Sequence, residues 1–127
     1  MAEQDNLRTA GSSRPTGEAA AAMLAAGTGL LTLGAANVIA AAYGGFEEAL
    51  LLAARFFLPG GPQLEAYGGK QLVALAAWVG SWALLHWRLR RRQASLTGTV
   101  GIFLVCLVIA TLLLWPPIVH SLVRLAR

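Results

Sequence analysis

Charge is scarce in this chain. Only 13% of its 127 residues are Asp, Glu, Lys or Arg, where a soluble domain carries about a quarter. No acidic residue follows Glu65, and Ala19 to Phe46, Gln71 to Trp87 and Leu96 to Val123 hold no charged residue at all. A soluble helix needs a polar stripe to face water, and such long, uniformly apolar runs exclude one. Alternating strands of the barrel type are also missing. Cys106 is the one cysteine, so no intramolecular disulfide can form, and no Cys/His spacing suggests zinc. Cys106 reads as a small apolar packing residue. Nucleotide loops, nucleophile–base pairs, thiol pairs and metal motifs are lacking too. No catalytic, cofactor-binding or metal-ligating residue is therefore nominated, and the chain reads as a non-enzyme without a cofactor.

What the sequence has instead is apolar surface: 57% of its residues are hydrophobic and the mean hydropathy is +0.62. About 20 apolar residues cross a hydrocarbon core about 30 Å thick, and there a segment must satisfy its own backbone hydrogen bonds, which favours helices. The fold class is thus an all-α integral membrane protein with three transmembrane helices, over about 19–43, 71–89 and 97–119. A short interfacial helix over about 46–58 follows the first. Residues 1–17 form a polar tail too poor in apolar residues to fold alone and expected to be disordered; 18–127 form a single helical membrane domain.

Glu18 opens the first span, with Thr16 as N-cap and the carboxylate suited to the positive helix end. The span is rich in Ala and Gly, which add little to lipid partitioning but let neighbouring backbones approach. Gly27, Gly34 and Ala41 recur every seven residues and share a face, with Leu30 and Asn37 beside it. These are the helix-packing residues, and the Asn37 amide is expected to hydrogen-bond another helix. Arg8, Arg14, the apolar stretch and Ala40–Ala42 also have the outline of a secretory signal. Its apolar core would be about twice the usual length, so the segment reads as a retained span.

Gly44–Gly45 is expected to break the first helix. In the segment after it Phe46, Leu50, Ala53 and Phe57 cluster on one side, with Glu48 and Arg55 opposite, which suits a helix lying along the membrane surface. Pro59–Gly60–Gly61–Pro62 ends that helix, and a polar loop runs through Gly68–Gly69–Lys70. Trp78, Trp82, His86 and Trp87 weight the second span toward its C-terminal end. Near the end of the third, Pro116–Pro117 is expected to kink or break the helix, leaving an amphipathic tail with Arg124 and Arg127.

Arg88, Arg90, Arg91 and Arg92 crowd the loop between the second and third spans, marking topology and lipid headgroup contact. The positive-inside rule puts the N-terminus and the 88–95 loop in the cytoplasm and the C-terminus outside. Six basic residues then lie inside and four outside, Arg124 and Arg127 pulling the other way. Trp87 and Trp115 serve as interface anchors. The net charge of +4 and pI near 10.2 do not signify nucleic acid, because the basic residues cap apolar segments instead of forming an aromatic-interleaved surface.

His86 and His120 fall at opposite span ends, so one chain cannot clamp a haem between them; a ligand role would take a partner chain. Glu47 and Glu48 point about 100° apart on a helix, a solvated face with Arg55 as partner to Glu48. Trp78 and Trp82 read as packing residues. The function expected is that of a small non-catalytic accessory or assembly subunit packing against a larger respiratory, photosynthetic or transport complex. Its partners are membrane lipids and other membrane subunits. The runner-up is a homo-oligomeric transporter or channel lined by Asn37, Thr32 or Thr111.

Overall fold

The computed structural model describes residues 16–57, 59 and 66–125, and every regular element among them is a helix. In chain order these are α1 (Gly17–Ala42), α2 (Gly44–Phe57), α3 (Ala66–Leu89), α4 (Leu96–Leu114) and α5 (Pro116–Leu125). Helices α1, α3 and α4 are each long and apolar enough to cross a membrane, α4 being the most apolar. Of the expected tail over 1–17 only Thr16 and Gly17 fall within the described residues, and of the turn at 59–62 only Pro59.

The three long helices form one layer with α1 in the middle. It packs along both α3 and α4, while among the described residues α3 and α4 do not approach each other, despite the short loop joining them. The register follows from the close contacts. Gly17 lies against the Leu89 carbonyl, Gly29 against Ala74 and Trp78, and Asn37 against Lys70, so α3 runs antiparallel to α1. Gly27 faces Phe103 and Cys106 and Gly34 faces Ala110 and Leu113, a constant offset that makes α4 parallel to α1. The N-termini of α1 and α4 and the C-terminus of α3 thus share one end of the layer, here the loop end. Helices α2 and α5 pack at the far end, against α3 and α1 respectively.

Composition explains the central position of α1. Its buried residues are Gly17, Ala20, Ala21, Ala25, Gly27, Gly29, Gly34, Ala36 and Ala40, all small, so two neighbours can sit close on opposite sides. Gly27 and Gly34 face α4. Gly29 faces Ala74 and Trp78 of α3, and the buried Ala25 and Ala36 share its side of the helix by their spacing, a second face that the seven-residue pattern does not reveal.

Three boundaries and one cap differ from the sequence reading. Helix α1 breaks at Tyr43, which is extended (φ −130°, ψ 103°), and Gly44 and Gly45 begin α2 instead of separating it. Helix α3 starts at Ala66, so Gly68, Gly69 and Lys70, expected in a loop, are its first turns. The reason is contact: Gly69 is buried against the backbone of Leu50 in α2, where a side chain would overlap the Leu50 carbonyl. The third span stops at Leu114, short of 119. Trp115 precedes proline, which disfavours the α region for it, and it sits at φ −74°, ψ 118°. Pro116 and Pro117 then open α5, where a missing N–H costs nothing. Lastly, the Thr16 hydroxyl does not cap α1. It donates to the Ala94 carbonyl at 2.8 Å and accepts from the Ala94 N–H at 2.9 Å, tying the start of α1 to the α3–α4 loop.

Candidate functional site

On one face of the layer α1 forms the floor of an apolar slot, walled by α3. Ala22 and Ala26 lie opposite Trp78, Val79 and Trp82. Further along, Gly29, Leu30 and Leu33 lie opposite Gln71, Ala74, Leu75 and Trp78 around an open hollow of about 400 Å³. Leu30 and Leu33 also border a second hollow toward α4, with Leu107, Ala110, Thr111, Leu114 and Trp115. The slot follows from register. On α3 the residues Lys70, Ala74, Trp78 and Trp82 recur every fourth position and so form one stripe. On α1 the matching stripe is Ala22, Ala26, Leu30 or Leu33, and Asn37.

That stripe ends in a polar pair. Asn37 lies one helical turn beyond Leu33 and Lys70 one turn before Ala74, and the Lys70 ammonium donates to Asn37 Oδ1 at 3.3 Å. Lys70 is only 7% exposed. Its Nζ lies 5.1 Å from the centre of the Tyr67 ring, a cation–π distance. A four-carbon stem leaning toward the helix N-terminus brings the charge back over the first turn of α3. The charge-free segment that the sequence offers from Gln71 onward is thus one residue away from a buried cation in the same helix.

The other nominated residues are distributed as follows. Gly27 and Gly34 lie in the α1–α4 seam: a methyl at Gly27 would meet the Cys106 Cβ at 3.2 Å and one at Gly34 the Leu113 Cβ at 3.0 Å. Ala41 is exposed and borders a hollow formed with Val119, His120, Val123 and Arg124 of α5. Arg88 closes α3, and Arg88, Arg90, Arg91 and Arg92 are all exposed at the loop end. Trp87 and Trp115 are 71% and 56% exposed, at opposite ends of the layer. His86 stacks on Trp82 with ring centres 5.3 Å apart. The His120 Nδ1 lies 2.8 Å from the Pro116 carbonyl at the other end. Thr28, Thr32 and Thr111 each donate to a carbonyl one turn earlier, as does Ser81 three residues back, so their hydroxyls are satisfied within their own helices. Among the described residues no three His, Cys, Asp or Glu side chains gather as a metal site would require.

The signal that could have found Lys70 is its stripe. Counting by fours from Trp82 through Trp78 and Ala74 lands on it, and only the Gly68–Gly69 pair suggested that the helix had not yet begun. Comparison with family models, with curated proteins and with solved structures finds no match for the chain.

Proposed function

We propose that this is a multi-pass membrane protein of three transmembrane helices, acting as a non-catalytic accessory or assembly subunit that packs against a larger membrane complex. The observation that carries this reading is the surface of α1 opposite the slot. A helix in the middle of a layer is the natural core, yet this one exposes Thr28 and Ala35, seven residues apart, between α3 and α4. Small side chains there let another helix approach closely, and packing contact is what drives association where lipid is as apolar as leucine.

Orientation follows the charges. The loop end carries Arg88, Arg90, Arg91 and Arg92 and faces the cytoplasm under the positive-inside rule. The far end, with the amphipathic α2 and α5, lies along the opposite membrane surface. Leu52, Phe56 and Phe57 are exposed on α2, as an interfacial helix requires.

A homo-oligomeric pore lined by Asn37 is the weaker reading, because the Asn37 amide is already engaged by Lys70 within one chain. The test is gentle detergent extraction from the native membrane, native-gel sizing and mass spectrometry of the band. Co-migration with a fixed set of larger subunits supports the accessory role. A band holding only this chain in fixed multiples overturns it.

A further inference from the structure

The slot between α1 and α3 is lined almost wholly by apolar residues, and one helical turn beyond Leu33 and Ala74 lie the buried Lys70 and its partner Asn37. Burying an ammonium is costly unless its charge and its N–H groups are met. Lys70 has three N–H donors, and its described partners are one neutral amide oxygen and one aromatic ring. Neither carries a negative charge. The charge also sits in the first turn of α3, where the positive end of the helix dipole raises its cost further and favours an anion. Gln71, the next residue along α3, is the one polar side chain lining the slot.

We propose that this slot is a binding site for an anionic phospholipid, with the headgroup phosphate at Lys70 and an acyl chain along Leu33, Leu30 and Ala26 toward Trp78. The proposal rests on the membrane-spanning reading above and adds a ligand to it. Charge complementarity selects the headgroup: the phosphate accepts charge-assisted hydrogen bonds from the ammonium, and a headgroup of net negative charge is favoured over a zwitterionic one, whose own cation offsets the attraction. Geometry selects the chain. One leaflet of hydrocarbon is about 15 Å deep, about ten residues of helix at about 1.5 Å each, which leads from Asn37 to Ala26 and Gly27. That is the stretch over which the slot is open and lined by Gly29, Leu30, Leu33, Ala74 and Leu75. Lys70 stands near the far end of the layer, where headgroups of that leaflet lie.

The full chain, purified in mild detergent, is titrated with phosphatidylglycerol or phosphatidylcholine of identical acyl chains and bound lipid is counted by native mass spectrometry. Phosphatidylglycerol is expected to bind about fivefold or more tightly, the preference one basic residue confers. Lys70→Gln should abolish that preference and Lys70→Arg should keep it. Ala26→Phe, which fills the slot far from the charge, should weaken both lipids alike. Equal binding of the two lipids by the unaltered chain overturns the proposal, and that comparison needs no variant to fold. If glycerol phosphate alone binds as tightly as phosphatidylglycerol, the site takes a free anion and the lipid assignment fails. A carbonate wash separates the levels: a chain released from membranes removes the spanning reading itself, whereas one retained there with no headgroup preference removes only the lipid site.

Discussion

The two seams of α1 hold the same helix by different physics. Toward α4 it packs in parallel through Gly27 and Gly34 against Cys106, Phe103, Ala110 and Leu113, a contact of shape alone. Toward α3 it packs antiparallel through Gly29, and at the far end the seam is closed by the Lys70–Asn37 hydrogen bond. The first seam can be loosened only by changing volumes. The second also depends on a buried charge, and buried charge is the costlier thing to mishandle. A helix rich in Ala and Gly can serve both, because small residues leave room for close packing on either side without fixing which neighbour is which.

The largest expected effect comes from breaking the polar pair from one side. Asn37→Leu leaves the ammonium buried without its acceptor and should cost about 2–3 kcal/mol, read as a fall in thermal unfolding temperature in detergent. Adding Lys70→Met should restore much of the loss, since removing both partners is nearly neutral where removing one is not. If the double variant is no better than the single, the pair is not coupled and the contrast between the seams fails.

Glycine substitutions compare the seams on equal terms. A methyl at Gly29 would meet the Trp78 Cβ at 2.9 Å and the Ala74 carbonyl at 3.4 Å, whereas one at Gly27 meets Cys106 at 3.2 Å. Overpacking costs about 1–3 kcal/mol, with Gly29→Ala expected near the top of that range and Gly27→Ala near the bottom. Cys106→Gly should rescue Gly27→Ala. Gly80→Ala and Gly101→Ala, with nothing within 4 Å of the added atom, should raise the same unfolding temperature slightly, since alanine gains about 0.5–1 kcal/mol over glycine inside a helix.

At the loop end Thr16→Val removes both hydrogen bonds to Ala94. About 1 kcal/mol is expected from the lost bonds, with faster hydrogen exchange confined to the first turn of α1 and residues 92–95. Smallest is Ser95→Ala. The Ser95 hydroxyl accepts from the Gly98 N–H at 3.3 Å and caps α4; loss of a cap costs about 0.5–1 kcal/mol at an exposed site. An effect of Ser95→Ala as large as that of Asn37→Leu would mean that the helix ends, and not the seams, hold the layer.

The three long helices were legible in the sequence because nothing competes with a charge-free apolar run of that length. The break at Trp115–Pro116 was legible from the two prolines, although not its consequence that the third helix ends there and a separate one begins. Lys70 was not legible as part of the site: it follows Gly68–Gly69, and glycine pairs ordinarily mark loops. Here Gly69 is helical and is needed so that α3 can pass close to the Leu50 carbonyl, a tertiary requirement that no local pattern displays. Thr16 failed as a cap for a similar reason, since its hydroxyl has a better partner 78 residues away. The Gly27–Gly34 spacing showed one packing face, while Gly29, which meets α3, stands among alanines and repeats with no second glycine to mark its side.

The measurement that bears most directly on the central claim is sidedness. With Cys106 replaced by Ala, single cysteines are placed at Gln93 in the loop, at Glu48 in α2 and at Ser121 in α5. Intact cells are then exposed to a membrane-impermeant maleimide before and after lysis. Glu48→Cys and Ser121→Cys are expected to label in intact cells and Gln93→Cys only after lysis, placing the two ends of the layer across a membrane. Labelling of all three positions from the same side would contradict it.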